Sequence, residues 1–245
     1  MSQMPGNKNW LLFFDIGEDD PRWPRLRALL HRWGRSEGSV TTSFSKQEID
    51  SARWLEIAAW HHGYPQPKEG TFGFREATYD LSDWCRSCDI GRKQKAPFQM
   101  KREPRWGRNS LMQFVWIYDE IFATPDAWSR VFKPSGVGCR AVLNTKGVEL
   151  KTVVQLVVEE PVGLRADGYA SARCDQCGRT KYLPVARGFF PALRDEPSGS
   201  MARTVEYFGD GAQANHGLLV SQSIVRAMVD ADIRGAWFVP VAEVT

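Results

Sequence analysis

The 245-residue chain has no apolar run near the roughly 18 to 20 residues that a membrane-spanning helix needs; Trp10-Leu-Leu-Phe-Phe14 is only strand-sized. No membrane anchor is expected. Histidine is scarce, four in all, and no H-E-x-x-H, G-x-S-x-G elbow or phosphate-binding glycine loop occurs, so three common catalytic designs are excluded. The opening Met1-Ser-Gln-Met-Pro-Gly-Asn lacks a basic region followed by an apolar stretch. A secretory signal is therefore not expected, and the expected compartment is the reducing cytoplasm. The net charge of +3 is too small to demand a polyanionic partner.

What the chain does have is a folded composition, 42% hydrophobic with 12% aromatic residues, enough for a substantial core. Four of its five cysteines form two pairs, Cys85-Arg-Ser-Cys88 and Cys174-Asp-Gln-Cys177. Four thiolates complete a tetrahedral shell for Zn²⁺, and each two-residue spacer lets a tight turn aim both sulfurs at one ion. Such a shell is closed, so the zinc is expected to be structural; a catalytic site keeps one position open for water. Disulfides or a redox-active CxxC would use the same residues, although a reducing compartment disfavours disulfides. The long separation of Cys88 from Cys174 means that the ion would join distant parts of one domain.

Charge is unevenly spread. Residues 85–110 carry Arg86, Arg92, Lys93, Lys95, Lys101, Arg102, Arg105 and Arg108 against Asp89 and Glu103, a net +6 that leaves the remainder at −3. With Phe98 and Trp106 available to stack on bases, this segment has the composition of a nucleic-acid surface. It would equally serve an acidic protein partner, or be a solvated loop balanced by the acidic remainder. The candidate partner-binding residues are Arg92, Lys93, Lys95, Lys101, Arg102, Arg105, Trp106 and Arg108.

The pattern of apolar residues predicts a β-α-β-α-β region over about residues 1–80. Its strands fall at Trp10–Ile16, Ser39–Phe44 and Phe72–Tyr79, and its helices at Pro24–Trp33 and from a Ser45-Lys-Gln-Glu48 capping box to about His62. Residues 81–245 follow as a zinc-knuckle α+β domain. Strands are expected at Leu111–Tyr118, Cys139–Leu143, Val148–Val158 and Ala236–Val241, with helices entered through Thr124 and Ser221. Phe122-Ala-Thr124, Gly138 and Ala141-Val142 match Leu219-Val-Ser221, Gly235 and Phe238-Val239 at a constant offset of 97. The fold class is therefore α+β, mixed sheets with short helices. Two knuckle-strand-helix-strand halves, 85–160 and 174–245, would be related by duplication and clasped by the four-cysteine zinc site.

A CxxC, a later Cys174-x-x-Cys177-Gly178-Arg179 and a terminal helix-Gly-strand unit together resemble the double-CxxCG proteins of myxobacteria, over roughly residues 85–245. Asp89 stands where that family has glycine. Some of those proteins are regarded as immunity proteins that neutralise a cognate toxin, so the resemblance implies bacterial defence by protein binding rather than catalysis. Zinc-ribbon-like nucleic-acid binding is the alternative. An enzyme reading rests only on Pro125-Asp126 with Glu149-Leu-Lys151, the literal form of a PD-ExK nuclease signature, in which two carboxylates hold Mg²⁺.

Overall fold

The computed structural model describes residues 16–34, 41–66 and 73–243. The chain divides into Met1–Thr41 and Thr42–Thr245. In the first unit, α1 (Trp23–Arg32) has proline in its first turn and is followed by Gly34 at φ 62°, which matches the helix expected over Pro24–Trp33. The strand expected at Trp10–Ile16 lies outside the described residues but for Ile16.

The second unit is mixed α and β with short helices. Its first half holds α2 (Lys46–Ser51), β1 (Trp54–Ala59), α3 (Gly73–Thr78), β2 (Tyr79–Asp80), β3 (Lys93–Gln94), β4 (Gln99–Met100), β5 (Leu111–Phe114), β6 (Ile117–Ala123) and α4 (Pro125–Ala127), which continues as a π-helical turn over Trp128–Phe132. Then come β7 (Gly138–Asn144), β8 (Glu149–Val157), β9 (Pro161–Val162), β10 (Ser171–Arg173), β11 (Thr180–Tyr182), β12 (Met201–Phe208), β13 (Asn215–Ser221), α5 (Gln222–Asp230) and β14 (Ala236–Pro240). Among the described residues no helix is long and apolar enough to cross a membrane.

One sheet runs β10-β11-β12-β13-β1-β14 with β9 beside β12, a second runs β4-β7-β8-β6-β5, and β2 pairs with β3. Both large sheets contain the same crossover. β6 passes through α4 to β7, leaving a gap filled by antiparallel β8; β13 passes through α5 to β14, leaving a gap filled by antiparallel β1. The fillers sit in different registers: Val154 faces both Ala123 and Ala141, whereas Leu55 faces Val220 and Ile57 faces Phe238. The main core lies where Leu55, Ile57 and Val220 of one sheet meet Ile121 and Leu156 of the other, with Phe132 and Met228 closing it from the helices. A separate aromatic core of Phe98, Phe114, Phe122 and Tyr79 packs under the second sheet.

Several expectations need correction. The capping box forms as read, with Ser45 accepting from Glu48 N and the Glu48 carboxylate accepting from Ser45 N, but the helix stops at Ser51 instead of continuing to His62. Trp54–Ala59 is an interior strand, apolar on both faces, and such a run mimics helical spacing. The region read as 1–80 therefore contributes a central strand to the sheet of the C-terminal elements. Gly73–Thr78, expected as strand, is helical, and residues 41–44 are irregular. Leu111–Tyr118 is not one strand: the chain reverses at Val115-Trp116, where Trp116 takes φ 74°, and Asp119 and Glu120 fall inside β6. Thr124 caps α4 through its hydroxyl, whereas the Ser221 side chain does not cap α5.

Two tests follow from the placement of β1. Leu55 is fully buried between β13 and β14, so Leu55→Ala is expected to cost about 2–5 kcal/mol, read as a fall in the urea midpoint. Glu56 lies opposite Leu219 and Val239, and loss of solvent pushes its carboxyl from 4.5 up to about 7. Folding thus favours the protonated form. That contribution is complete below the ordinary carboxylate pKa and is lost as pH rises through about 7. Glu56→Gln should flatten the decline of stability across this window in denaturant titrations; an unchanged slope would contradict the assignment.

Candidate metal centre

The two CxxC loops have the same backbone geometry. In the first, Cys85 N donates to Ile90 O at 2.9 Å and Asp89 N to Cys85 O at 2.8 Å; in the second, Cys174 N donates to Arg179 O at 2.9 Å and Gly178 N to Cys174 O at 2.8 Å. The residue after each pair is left-handed, Asp89 at φ 68° and Gly178 at φ 70°. Glycine adopts this conformation freely, whereas for an L-residue it costs roughly 1–2 kcal/mol. Asp89 offsets that cost with its side chain. Trp84 Nε1 donates to Asp89 Oδ1 at 2.8 Å, and the carboxylate sits 3.3 Å from Arg75 and 3.5 Å from Arg92. Each of these ion-paired side chains is less than 10% exposed, so the charges are stabilised mainly by one another.

These loops converge. The Sγ atoms of Cys85, Cys88, Cys174 and Cys177 all lie within 4.8 Å of one another, an arrangement that can hold a metal ion. Across the loops, Cys85 and Cys174 are 3.8 Å apart and Cys88 and Cys177 3.6 Å apart. Tetrahedral coordination with metal–sulfur bonds of about 2.3 Å places its sulfurs about 3.8 Å apart, whereas a disulfide requires about 2.05 Å. The thiols are free. Their surroundings are unequal. Arg179 Nε, 3.4 Å from the Cys177 sulfur, and the Arg179 backbone N–H bring that thiol down to about 6. The backbone N–H groups of Cys177 and Gln176 lower Cys174, while burial pushes Cys88 up to about 12. A divalent cation supplies the compensating charge that a buried thiolate such as Cys88 lacks.

Arg179 also ties the loops together. Its guanidinium donates to Asp83 Oδ2 at 2.9 Å and to Asp83 O at 2.7 Å, immediately before the first loop. Ala214, Ile90 and Tyr207 pack around the sulfurs. Gly91 is confined as well: at φ 102°, a Cβ there would lie 2.1 Å from Asp83 O. The sequence reading found the four cysteines but not Asp89, Arg92 or Arg179 as supports. Arg179, following Cys177-Gly178 directly, was the visible signal.

The basic segment is divided. Lys93, Lys95, Lys101, Arg102, Arg105 and Arg108 are exposed. Arg92 is not on that surface: its side chain is 4% exposed and is turned inward to Asp89 and Asp119. Phe98 is fully buried against Phe122, Phe114 and Tyr79, so it has no face for a base. Trp106 is half-buried and donates to Thr152 O at 2.9 Å, beside Glu103, which accepts from Lys151 N and Thr152 N. Of the nuclease-like pattern, Glu149 opens β8 opposite Leu143 of β7. Asp126 is paired with Arg130 at 3.0 Å.

Cys174→Ser leaves three thiolates, and the variant should lose bound metal by elemental analysis and become markedly less stable or insoluble. Asp89→Gly would recreate the CxxCG motif and relieve the left-handed strain, yet it removes the carboxylate between Arg75 and Arg92. A net loss of about 3–5 kcal/mol is expected, and a stabilised variant in thermal melts would contradict the ion-pair account. No protein-family model matches the chain, and no curated protein is similar to it.

Proposed function

We propose that the chain is a zinc-binding, non-catalytic binding protein of the immunity type, which engages an acidic protein partner such as a cognate toxin. Zinc is the ion best suited to four thiolates at these spacings, and a complete protein shell leaves no position for substrate or water. Its role is to fasten two loops far apart in the chain. The resemblance to double-CxxCG proteins is supported at its point of departure, because Asp89 takes the same backbone conformation as Gly178. The reading of two related halves is supported by the paired crossovers.

The observation that carries the binding assignment is a cationic groove of about 370 Å³, where Lys101, Arg102 and Arg105 meet Tyr64, His62 and Met100. Tyr64 is half exposed, and Trp237 stands at the surface beside His61 and Tyr118. Aromatic anchors rimmed by Arg and Lys are the composition of protein interfaces, where charge complementarity speeds encounter and sets register. Nucleic-acid binding is less well supported, since Phe98 and Arg92 are both interior.

Affinity capture from host lysate, with and without nuclease, compares the native chain with an Arg102→Glu/Arg105→Glu variant. The expected result is a nuclease-resistant, stoichiometric acidic partner whose retention falls at least about tenfold in the variant. Capture of nucleic acid, lost as salt rises, would overturn the reading.

A further inference from the structure

Beside the cysteine cluster, and distinct from the surface groove, lies a polar cavity of about 330 Å³. It is walled by β6, β8, β12 and β13, with Tyr79 and Arg92 on the side of the first CxxC loop. Its two walls differ in how well their polar groups are satisfied. On one, Arg140 donates to Gln94, Gln94 and Gln155 exchange hydrogen bonds at 2.9 and 2.7 Å, and Gln155 donates to Glu120 at 2.8 Å. Arg203 completes the chain by donating to the other Glu120 oxygen at 2.8 Å. Every side chain of that series has a partner.

The other wall is the reverse. Tyr79 Oη, Arg92 Nη1, Asp119 Oδ1, Arg203 Nε and His216 Nδ1 are all buried without a hydrogen-bond partner. Tyr79 is 4% exposed and Asp119 8%. Arg92 Nη1 faces Asp89 at 3.5 Å, which leaves four unmet atoms. Buried polar groups are nearly always hydrogen-bonded, and four unmet atoms lining one cavity are far from a random scatter. They also divide by type: Arg203 Nε only donates, and the Asp119 carboxylate oxygen accepts. The arginines of the lining are already balanced, and its fourth cation, Lys93, is exposed to solvent. Arg203 has Glu120, Arg140 has Glu159, and Arg92 lies between Asp89 and Asp119. A ligand of net charge would enter uncompensated, which low-dielectric surroundings penalise heavily.

We infer that this cavity is a binding site for a small zwitterion, a free amino acid, with its carboxylate on Arg203 and Arg92 and its ammonium on Asp119. The volume lies at the lower end of ligand pockets, and Tyr79 Oη and His216 Nδ1 supply polar contacts for the side chain. Arg92 links the cavity to the metal centre, since the same guanidinium contacts Asp89 and lines the pocket.

The test uses the purified full chain and the proteinogenic L-amino acids individually, first by thermal shift and saturation-transfer NMR, then by calorimetry. At least one amino acid should bind with a Kd at or below about 1 mM. Its N-acetyl and carboxamide derivatives should each bind at least about tenfold more weakly. Asp119→Asn should lose affinity for the amino acid, and Tyr79→Phe, which removes one hydroxyl, keeps the test open if Asp119→Asn does not fold. No binding by any amino acid, meaning that the cavity holds water only, would overturn the inference. So would equal binding of the blocked derivatives, which need no protein variant.

Discussion

Asp89 fastens two buried guanidinium groups to the backbone of a cysteine loop, and much of the second unit's order depends on that contact. The carboxylate faces Arg75 and Arg92 while its own backbone turns the chain so that Cys85 and Cys88 point the same way. One residue thus meets a conformational requirement and an electrostatic one together. Without the two arginines the left-handed turn would be better served by glycine, as it is at Gly178; without Asp89, the two buried guanidinium groups would lose the carboxylate they share, and removing one member of such a buried group is costly.

The consequence for organisation is a line of contacts from metal centre to interior. Arg92 reaches from Asp89 to Asp119, Asp119 adjoins Glu120, and Glu120 holds Arg203 of β12. This path joins the two large sheets at a place where the packing is polar. An ion held by the four thiolates at one end would stiffen the loop that carries Asp89 and so link metal loading to cavity geometry. The exposed cations of residues 93–108 face outward and are separate from this path. A segment that is uniformly basic in sequence is therefore divided in space between structural and surface roles.

The four cysteines that converge were legible because CxxC spacing is a covalent constraint: two thiols on one tight turn can reach one ion whatever surrounds them. The strands leaving the crossovers, β7 and β14, were legible too, whereas β6 and β13, which enter them, were read as helix entries at Phe122 and Leu219. What was not legible depended on pairing between distant residues. Trp54–Ala59 shows helical spacing, and only β13 and β14 on either side make it a strand. Arg92 resembles its basic neighbours until Asp119 is brought beside it, and Phe98 loses its exposed face only when Phe114 and Phe122 pack on it. Asp119-Glu120, two acids within an apolar stretch, were the sequence's hint of an interior polar site.

The position of β1 has a bearing on how the protein is made. This strand is synthesised long before both of its neighbours, Asn215–Ser221 and Ala236–Pro240. Through most of translation β1 has two unpaired edges and two apolar faces, the features that invite wrong pairing. The sheet containing it can close only after β13 and β14 have emerged, whereas β5 to β8 are contiguous and can assemble while synthesis continues.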